Sequence, residues 1–309
     1  GHKSVFPLAK GNPELFERAL GLKALGNELC TLVGGRSIHP ITAVVGGFTH
    51  EISADEYLRL AEAMDATREF ALASVDLFRD FDTVDVQTEG DLLAMVAPGA
   101  YPVCTSDTLR FVRAGYDFSA QDVEEEIEEY PVGHSAAFLA RARRTGRPYM
   151  TAALARVNAS WDALSKDARY AAAKAGLRPP EYNPFANNIA QAELVDVLDR
   201  CSALCRRLAA DEFEGSSEPV PFEVRAGRGV GFTEAPRGAL FHILDINGEG
   251  RIERASIMTP TAQNIANLEA DMRQLAEKMV AGGYDADLIT LEVEKLVRAY
   301  DPCLSCSVH

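Results

Sequence analysis

The final nine residues of the chain, 301–309, constrain its structure and chemistry more than any other stretch. They read Asp-Pro-Cys-Leu-Ser-Cys-Ser-Val-His, so Cys303 and Cys306 are three positions apart and His309 follows three positions later. Pro302 disfavours helical backbone in the residue before it, so a preceding helix should end there and leave both cysteines on non-helical backbone. Two thiolates at this spacing can point at one atom, and they select soft or borderline metals such as zinc, nickel or iron. The ending therefore predicts a metal site.

Other interpretations of the cysteine pair stay open at this point. A single Cys-x-x-Cys also suits half of a structural zinc site, a redox dithiol or two buried small side chains. A four-ligand zinc site needs two more ligands, and the sequence has no second Cys-x-x-Cys. The remaining cysteines are Cys30, Cys104, Cys201 and Cys205. Because Cys201 and Cys205 lie one turn apart in a predicted amphipathic helix, we interpret them as core residues.

Length, charge and cysteine content exclude several classes of protein. A chain of 309 residues can bury a large core in one or two domains. No apolar run approaches the roughly 20 residues that cross a bilayer, and no signal peptide is recognisable. The net charge of −15 argues against nucleic acid and anionic membranes as partners. Six cysteines in so long a chain do not make a disulfide framework, which favours a reducing, cytoplasmic location.

Apolar residues recur at helical spacing along much of the chain, which predicts a mainly α (α+β) fold with many helices and small antiparallel hairpins. The predicted helices cover 13–32, 54–79, 159–175, 184–210, 264–280 and 285–300. Short strands are expected between 101 and 116. The acidic run at 122–129 is interpreted as a solvated helical face or the edge of a loop.

A predicted β-hairpin should bring two short motifs together. Its strands flank the turn sequence Asn-Gly-Glu-Gly at 247–250. We predict that Ile246 lies opposite Arg251, which would place Arg237 opposite Pro260 at the open end of the hairpin. The sequence Ala-Pro-Arg that ends at Arg237 would then meet the Thr-Pro-Thr sequence around Pro260.

Several motifs, in chain order, resemble the large subunit of nickel–iron hydrogenases. They are Gly-Gly-x-x-x-His-Pro with His39, Leu-Ala-Arg-x-Asn at 154–158, Glu-Ala-Pro-Arg-Gly at 234–238, Pro-Thr-x-x-Asn at 260–264 and the ending itself. A His-Ser pair at His134 is also similar to a family element, but we interpret His134 as a packing residue. In that family a protease trims the precursor after the final His once nickel is inserted, and a chain ending on His309 is similar to the trimmed form.

The resemblance implies a bimetallic active site. Cys303 would be a terminal nickel ligand and the proton acceptor, Cys306 would bridge nickel and iron, and His309 would bind a magnesium or iron ion that fixes the tail. Arg237 and Asp301 would form a charged pair above the open site. The implied reaction is the reversible heterolytic cleavage of dihydrogen.

Further residues would surround the iron atom, which carries carbon monoxide and cyanide ligands in the family. The resemblance assigns Pro236, Pro260 and Thr261 to the surroundings of these ligands, with Thr261 hydrogen-bonded to a cyanide. His39 would lie in an outer shell.

The resemblance covers nearly all of this chain but only part of the family's subunit. Family members carry a second pair of cysteines near the N-terminus, in Arg-x-Cys-Gly-x-Cys, and a nearby proton-relay glutamate, and this sequence has neither. We therefore expect a single catalytic-subunit domain over 1–309 that is incomplete at its N-terminus, the remainder being missing or a separate polypeptide.

The expected partners follow from the resemblance. An iron–sulfur small subunit would take the electrons, because this chain lacks the cysteines to hold clusters. The ending resembles that of cytoplasmic bidirectional and sulfhydrogenase-like enzymes, which implies NAD(P)-binding diaphorase subunits as further partners. The competing hypotheses are a metal-free, quinone-binding relative and a non-catalytic subunit whose tail is clamped by zinc.

Overall fold

The fold is built mainly from helices. The computed structural model describes residues 6–79, 81, 83–103, 106–212 and 219–308. Within these ranges helical residues outnumber strand residues, so the predicted mainly α (α+β) class is confirmed. The α-helices are α1 (Phe6–Gly11), α2 (Pro13–Gly34), α3 (Ala54–Arg79), α4 (Val123–Glu126), α5 (Ala153–Ser160), α6 (Lys166–Lys174), α7 (Asn187–Ala190), α8 (Glu193–Ala209), α9 (Pro260–Ala281), α10 (Ala286–Tyr300) and α11 (Leu304–Ser307).

The strands form small sheets. They are β1 (Ala43–Val44), β2 (Gly47–Phe48), β3 (Asp91–Met95), β4 (Thr108–Phe111), β5 (Tyr116–Ser119), β6 (Ile127–Val132), β7 (Ser135–Ala142), β8 (Tyr149–Met150), β9 (Gly227–Ala235), β10 (Gly238–Ile246) and β11 (Ile252–Met258). A four-stranded sheet has the order β5-β4-β3-β8, in which β3 and β8 are parallel. A three-stranded antiparallel sheet has the order β11-β10-β9, and β1–β2 and β6–β7 are separate antiparallel pairs.

The chain divides into two compact units, which are described separately. The first contains Gly1–Ser74 and Leu194–Val224, and the second contains Val75–Glu193 and Arg225–His309. The single catalytic-subunit domain expected over 1–309 stays a prediction. Among the described residues, no helix combines the length and the apolar character that a membrane crossing requires.

The first unit is held together by pairing between α3 and α8. Arg68 forms a two-pronged ion pair with Asp199, with Nη2 2.9 Å from Oδ2. One turn away on α3 and two turns away on α8, Arg206 Nη2 lies 2.7 Å from Asp65 Oδ2. Cys205 of α8 is buried and Cys201 is partly buried, in agreement with their interpretation as core residues.

The second unit has its core between the sheets and the helices that cover them. Aromatic and aliphatic side chains of both sheets pack together there; they include Leu93, Phe111, Tyr149, Phe241 and Met258. Helix α9 packs against β7, β8 and α10. Burying this apolar surface is the main source of the unit's stability.

Most predicted helices are confirmed, and their ends follow local signals. Pro260 stands in the first turn of α9, where proline needs no hydrogen-bond partner for its nitrogen. The side chain of Asp285 accepts a bond of 2.9 Å from Leu288 N and caps α10. The helix predicted at 184–210 is instead a 3₁₀ turn followed by α7 and α8, and the helix predicted at 159–175 is two helices, α5 and α6. A 3₁₀ turn at Trp161–Ala163 separates them, and Ser165 caps α6.

The predicted register of the β10–β11 hairpin is wrong. Phe241 faces Met258, whereas the predicted register would have placed it opposite Ser256. The reason lies in the turn: the Asn247 side chain accepts bonds from the backbone of Glu249 and Arg251, so Arg251 belongs to the turn and not to the strand. A bulge after Asp245 completes the shift.

Gly238 is required where β9 turns into β10. Its φ is +127°, and a Cβ atom there would lie 2.3 Å from the carbonyl oxygen of Thr151. Both the backbone angle and the close approach exclude side chains. In contrast, Gly229 on β9 has open space where a Cβ atom would be added.

We predict that Gly238→Ala destabilises the protein by at least about 2 kcal/mol, because it combines backbone strain with a steric clash. Denaturant unfolding of the purified protein measures the effect. Gly229→Ala in the same hairpin is the control and should leave the unfolding free energy unchanged or slightly higher. Equal stability of the two variants would contradict the interpretation.

Candidate functional site

Pro236 and Arg237 form the tip of a tight hairpin. Ala235 of β9 pairs with Gly238 of β10, which leaves these two residues as the loop. Asn264, in the first turn of α9, donates from Nδ2 to the carbonyl oxygen of Arg237 at 3.4 Å. The two motifs therefore meet as predicted, but through a helix side chain and not through strand pairing.

The site is also tied to Thr151, which precedes α5. Asn264 accepts a bond of 2.7 Å from Thr151 N and donates one of 2.9 Å to Thr151 O. The hydroxyl of Thr151 accepts a bond of 2.9 Å from Ala239 N. Thr151, Ala239 and Asn264 all belong to the second compact unit. The Pro-Thr-x-x-Asn motif therefore holds the hairpin turn in place through the side chain of Asn264.

The C-terminal segment follows directly after α10. The helix ends at Tyr300, and Asp301 takes left-handed backbone angles with φ 48°. Cys303 N then donates to Thr261 Oγ1 at 3.1 Å. The prediction of non-helical backbone holds for Cys303 but is wrong for Cys306, which lies in the short helix α11. The cause is local: Cys306 N bonds to Cys303 O at 3.0 Å and closes a turn.

Arg237 and Asp301 form an ion pair. Arg237 Nε lies 3.0 Å from Asp301 Oδ2 and donates to Asp301 O at 2.7 Å, while Nη2 reaches Oδ1 at 3.3 Å. The side chains are 40% and 63% exposed, so the pair lies at the surface of this unit. Residues that are far apart in sequence thus place opposite charges beside Cys303.

The two cysteine sulfurs converge. They form a disulfide, with the Cα atoms of Cys303 and Cys306 5.3 Å apart, and Cys303 Sγ lies 3.6 Å from Ser305 Oγ. A disulfide cannot act as two thiolate ligands, so metal binding requires the reduced pair. Once reduced, the pair can present two soft ligands to one metal, which suits nickel.

The other predicted site residues lie in several different parts of the chain. Pro260 and Thr261 are buried in the first turn of α9. His39 belongs to the first compact unit, where it is exposed with φ 57°. His309, like Cys104, lies outside the described residues. Within the described ranges, no group of three or more His, Cys, Asp or Glu side chains is arranged to hold a metal ion.

The interpretation of His134 as a packing residue is wrong. Its side chain is 64% exposed, and Nε2 lies 2.9 Å from Glu269 Oε1. The residue follows strand β6 in the turn to β7, where the ring reaches solvent instead of the core.

Sequence reasoning missed a buried charged cluster directly behind the hairpin turn. Arg156 of α5 is 4% exposed and forms ion pairs with Glu193 and Glu234, and Tyr101 hydrogen-bonds to Glu193. One signal was available: Arg156 is the only charge in the apolar run Ala-Ala-Leu-Ala-Arg-Val. Its partners are distant in sequence and could not be identified from spacing.

A second buried group fixes the end of α10. The carboxylate of Asp271 accepts hydrogen bonds from Tyr300 Oη and from Asn267 Nδ2. Burial raises the pKa of Asp271 from its ordinary value of 3.8 to about 6, an effect that the bond from Tyr300 partly opposes. Tyr300 directly precedes Asp301, so this bond helps to set where the tail begins.

We predict that Asp271→Asn changes the pH dependence of stability. Because the folded-state pKa is raised, the folded state holds the proton between pH 4 and 6, and the contribution of Asp271 falls as pH rises through this window. The variant should therefore gain up to ~3 kcal/mol relative to wild type between about pH 4 and pH 7. Urea unfolding across this range measures the difference, and a constant difference would contradict the assignment.

Comparison with known proteins identifies the family. Residues 125–309 match the model of the nickel-dependent hydrogenase family. The chain is 34% identical to the sulfhydrogenase 1 subunit alpha of Pyrococcus furiosus, over all of this chain and 71% of that protein. It is 26% identical to the NAD-reducing hydrogenase HoxS subunit beta of Cupriavidus necator, over 99% of this chain and 68% of that protein.

A solved structure shows the same fold. The chain is similar to that of an NAD⁺-reducing [NiFe]-hydrogenase in its H2-reduced state, with a TM-score of 0.81 and 23% identity over 99% of this chain and 71% of that one. The family match covers the hairpin turn, the first turn of α9 and the cysteine pair. The chain therefore belongs to the nickel-dependent hydrogenase family, and it is an oxidoreductase that acts on dihydrogen.

Proposed function

We propose that Arg237, Asp301 and Cys303 form the catalytic surface at which this hydrogenase reversibly cleaves dihydrogen into protons and electrons. The observation that carries the proposal is the ion pair between Arg237 and Asp301, 3.0 Å from Nε to Oδ2, in which Asp301 stands two residues before Cys303 in the chain. Heterolytic cleavage separates charge, and fixed charges that are already in place stabilise that separation without reorganising.

Cys303 and Cys306, once reduced, would hold the nickel–iron centre through their thiolate sulfurs. When bound, the nickel–iron centre supplies a Lewis acid that makes dihydrogen more acidic. In this proposal the Sγ of Cys303 would also accept the proton. The family uses four thiolates, and the other two are expected from polypeptide that carries the Arg-x-Cys-Gly-x-Cys element.

Pro236, Pro260 and Thr261 would surround the carbon monoxide and cyanide ligands of iron. The hydroxyl of Thr261 accepts a bond from Cys303 N at 3.1 Å and makes no donor bond to any described residue. Its hydrogen is therefore available for a cyanide nitrogen, which is a good acceptor. The roles of His309 at a magnesium or iron ion and of His39 in an outer shell stay predictions.

Electrons would pass to an iron–sulfur small subunit and then to a nicotinamide-type acceptor on NAD(P)-binding diaphorase subunits. The support is the similarity to a subunit of an enzyme named as an NAD-reducing hydrogenase. A cytoplasmic location belongs to the same proposal.

We predict that the purified, assembled complex contains nickel and iron and shows infrared bands in the carbon monoxide and cyanide stretching region. The reason is that two converging soft thiolates beside a charged pair suit a nickel–iron centre. Elemental analysis and infrared spectroscopy of the same sample provide the measurement. Zinc alone, without these bands, would favour the competing hypothesis of a zinc-clamped, non-catalytic subunit.

We predict that Arg237→Lys lowers the rate of hydrogen oxidation about 100- to 1,000-fold, because lysine cannot reproduce the forked contact with Asp301. Nickel and iron content should not change. The control is Arg251→Lys, an exposed residue in the turn at the far end of β10, which should keep full activity. Loss of activity that parallels loss of metal would contradict the catalytic role.

A further inference from the structure

The backbone of the hairpin turn is held from behind by buried side chains. Arg156 donates from Nη1 to Ala235 O and from Nη2 to Pro236 O, each at 3.0 Å. Asn264 reaches the next carbonyl, that of Arg237. Three successive carbonyl groups are therefore fixed, and Arg156 fixes two of them.

All five N–H donors of Arg156 are used. Nε and Nη2 bond to the two carboxylate oxygens of Glu193 at 2.9 and 2.6 Å, and Nη1 bonds to Glu234 at 3.1 Å. The two carbonyls of the turn take the remaining donors. Lysine carries three donors on one nitrogen and cannot reproduce this planar arrangement.

The cluster is anchored to several elements of the second unit. Glu193 begins α8 and also accepts a hydrogen bond from Tyr101. Glu234 lies on β9 and accepts a bond of 2.7 Å from Met95 N on β3. Arg156, Glu193 and Glu234 are buried residues, so a lost contact would leave a buried polar group without its partner. The cluster therefore holds the hairpin turn against several other elements of the second unit.

The position of the Arg237 side chain depends on the position of the hairpin turn. Its side chain leaves the loop for the surface, where it is 40% exposed and contacts Asp301. A small displacement of a catalytic group by a distant change can cost a large factor in rate. We propose that Arg156 is a positioning residue that acts through Arg237, a proposal that rests on the catalytic role of Arg237 proposed above.

A double-mutant cycle in the assembled complex tests this proposal. Alone, Arg156→Lys should slow hydrogen oxidation about 10- to 100-fold with nickel and iron retained. In the Arg237→Lys background the same substitution should slow hydrogen oxidation by less than a further factor of about 3, because the guanidinium that Arg156 positions is already absent. Arg141→Lys, at an exposed ion pair with Glu128, is the matched control and should have no effect in either background.

A second readout is independent of turnover. The infrared bands of the carbon monoxide and cyanide ligands should shift in the same direction in Arg156→Lys and in Arg237→Lys. If Arg156→Lys does not fold, Glu193→Gln loosens one side of the guanidinium and should slow the reaction about 3- to 10-fold with the same non-additivity.

The outcomes separate the two proposals. If Arg156→Lys slowed hydrogen oxidation by the same factor in the wild-type and Arg237→Lys backgrounds, the positioning role would be overturned. Loss of nickel and iron from the single Arg156 variant would also overturn it and leave only a structural role. Full activity of Arg237→Lys alone would overturn both the proposed function and the role of Arg156.

Discussion

The site depends on the first turn of α9. Thr261 accepts a hydrogen bond from Cys303 of the tail, Gln263 donates to Ala239 O and Met258 O of two strands, and Asn264 bonds Thr151 and Arg237. These side chains are at most 4% exposed, and buried polar groups are costly unless they are bonded. One helical turn therefore fixes the tail, the sheet and the hairpin turn relative to one another.

Behind the turn, the structure buries more negative than positive charge. One guanidinium, that of Arg156, lies between the carboxylates of Glu193 and Glu234, and burial raises the pKa of Glu234. Removing one partner from a buried charged cluster typically costs about 3–5 kcal/mol, because the other charges are left unpaired. Such a cluster fixes geometry more than it adds stability, and here the geometry is that of the loop that carries Arg237.

Local signals made much of the fold predictable, and non-local contacts made the rest unpredictable. Helical periodicity identified α9 and α10, because this signal lies within the elements themselves, although α9 begins at Pro260 and not at 264 as predicted. The register of β10 on β11 was wrong by two residues, since the side chain of Asn247 extends the turn.

The candidate site shows the same division. Its motifs could be identified from sequence, as could their meeting, because a hairpin brings its ends together whatever its register. The cluster around Arg156 and the helical position of Cys306 depend on contacts that spacing along the chain does not encode.

The bonds that assemble this site close very long loops. The bond from Thr151 to Asn264 spans 113 residues, that from Tyr149 to Gln263 spans 114, and that from Met95 to Glu234 spans 139. Because closing such loops costs entropy before the contacts repay it, segments with contacts of this kind fold slowly. The helices can form early from local sequence, whereas the pocket for the metal should be among the last parts to become ordered. Any factor that delivers nickel or iron would therefore bind a chain whose helices have formed but whose metal-binding residues are not yet ordered.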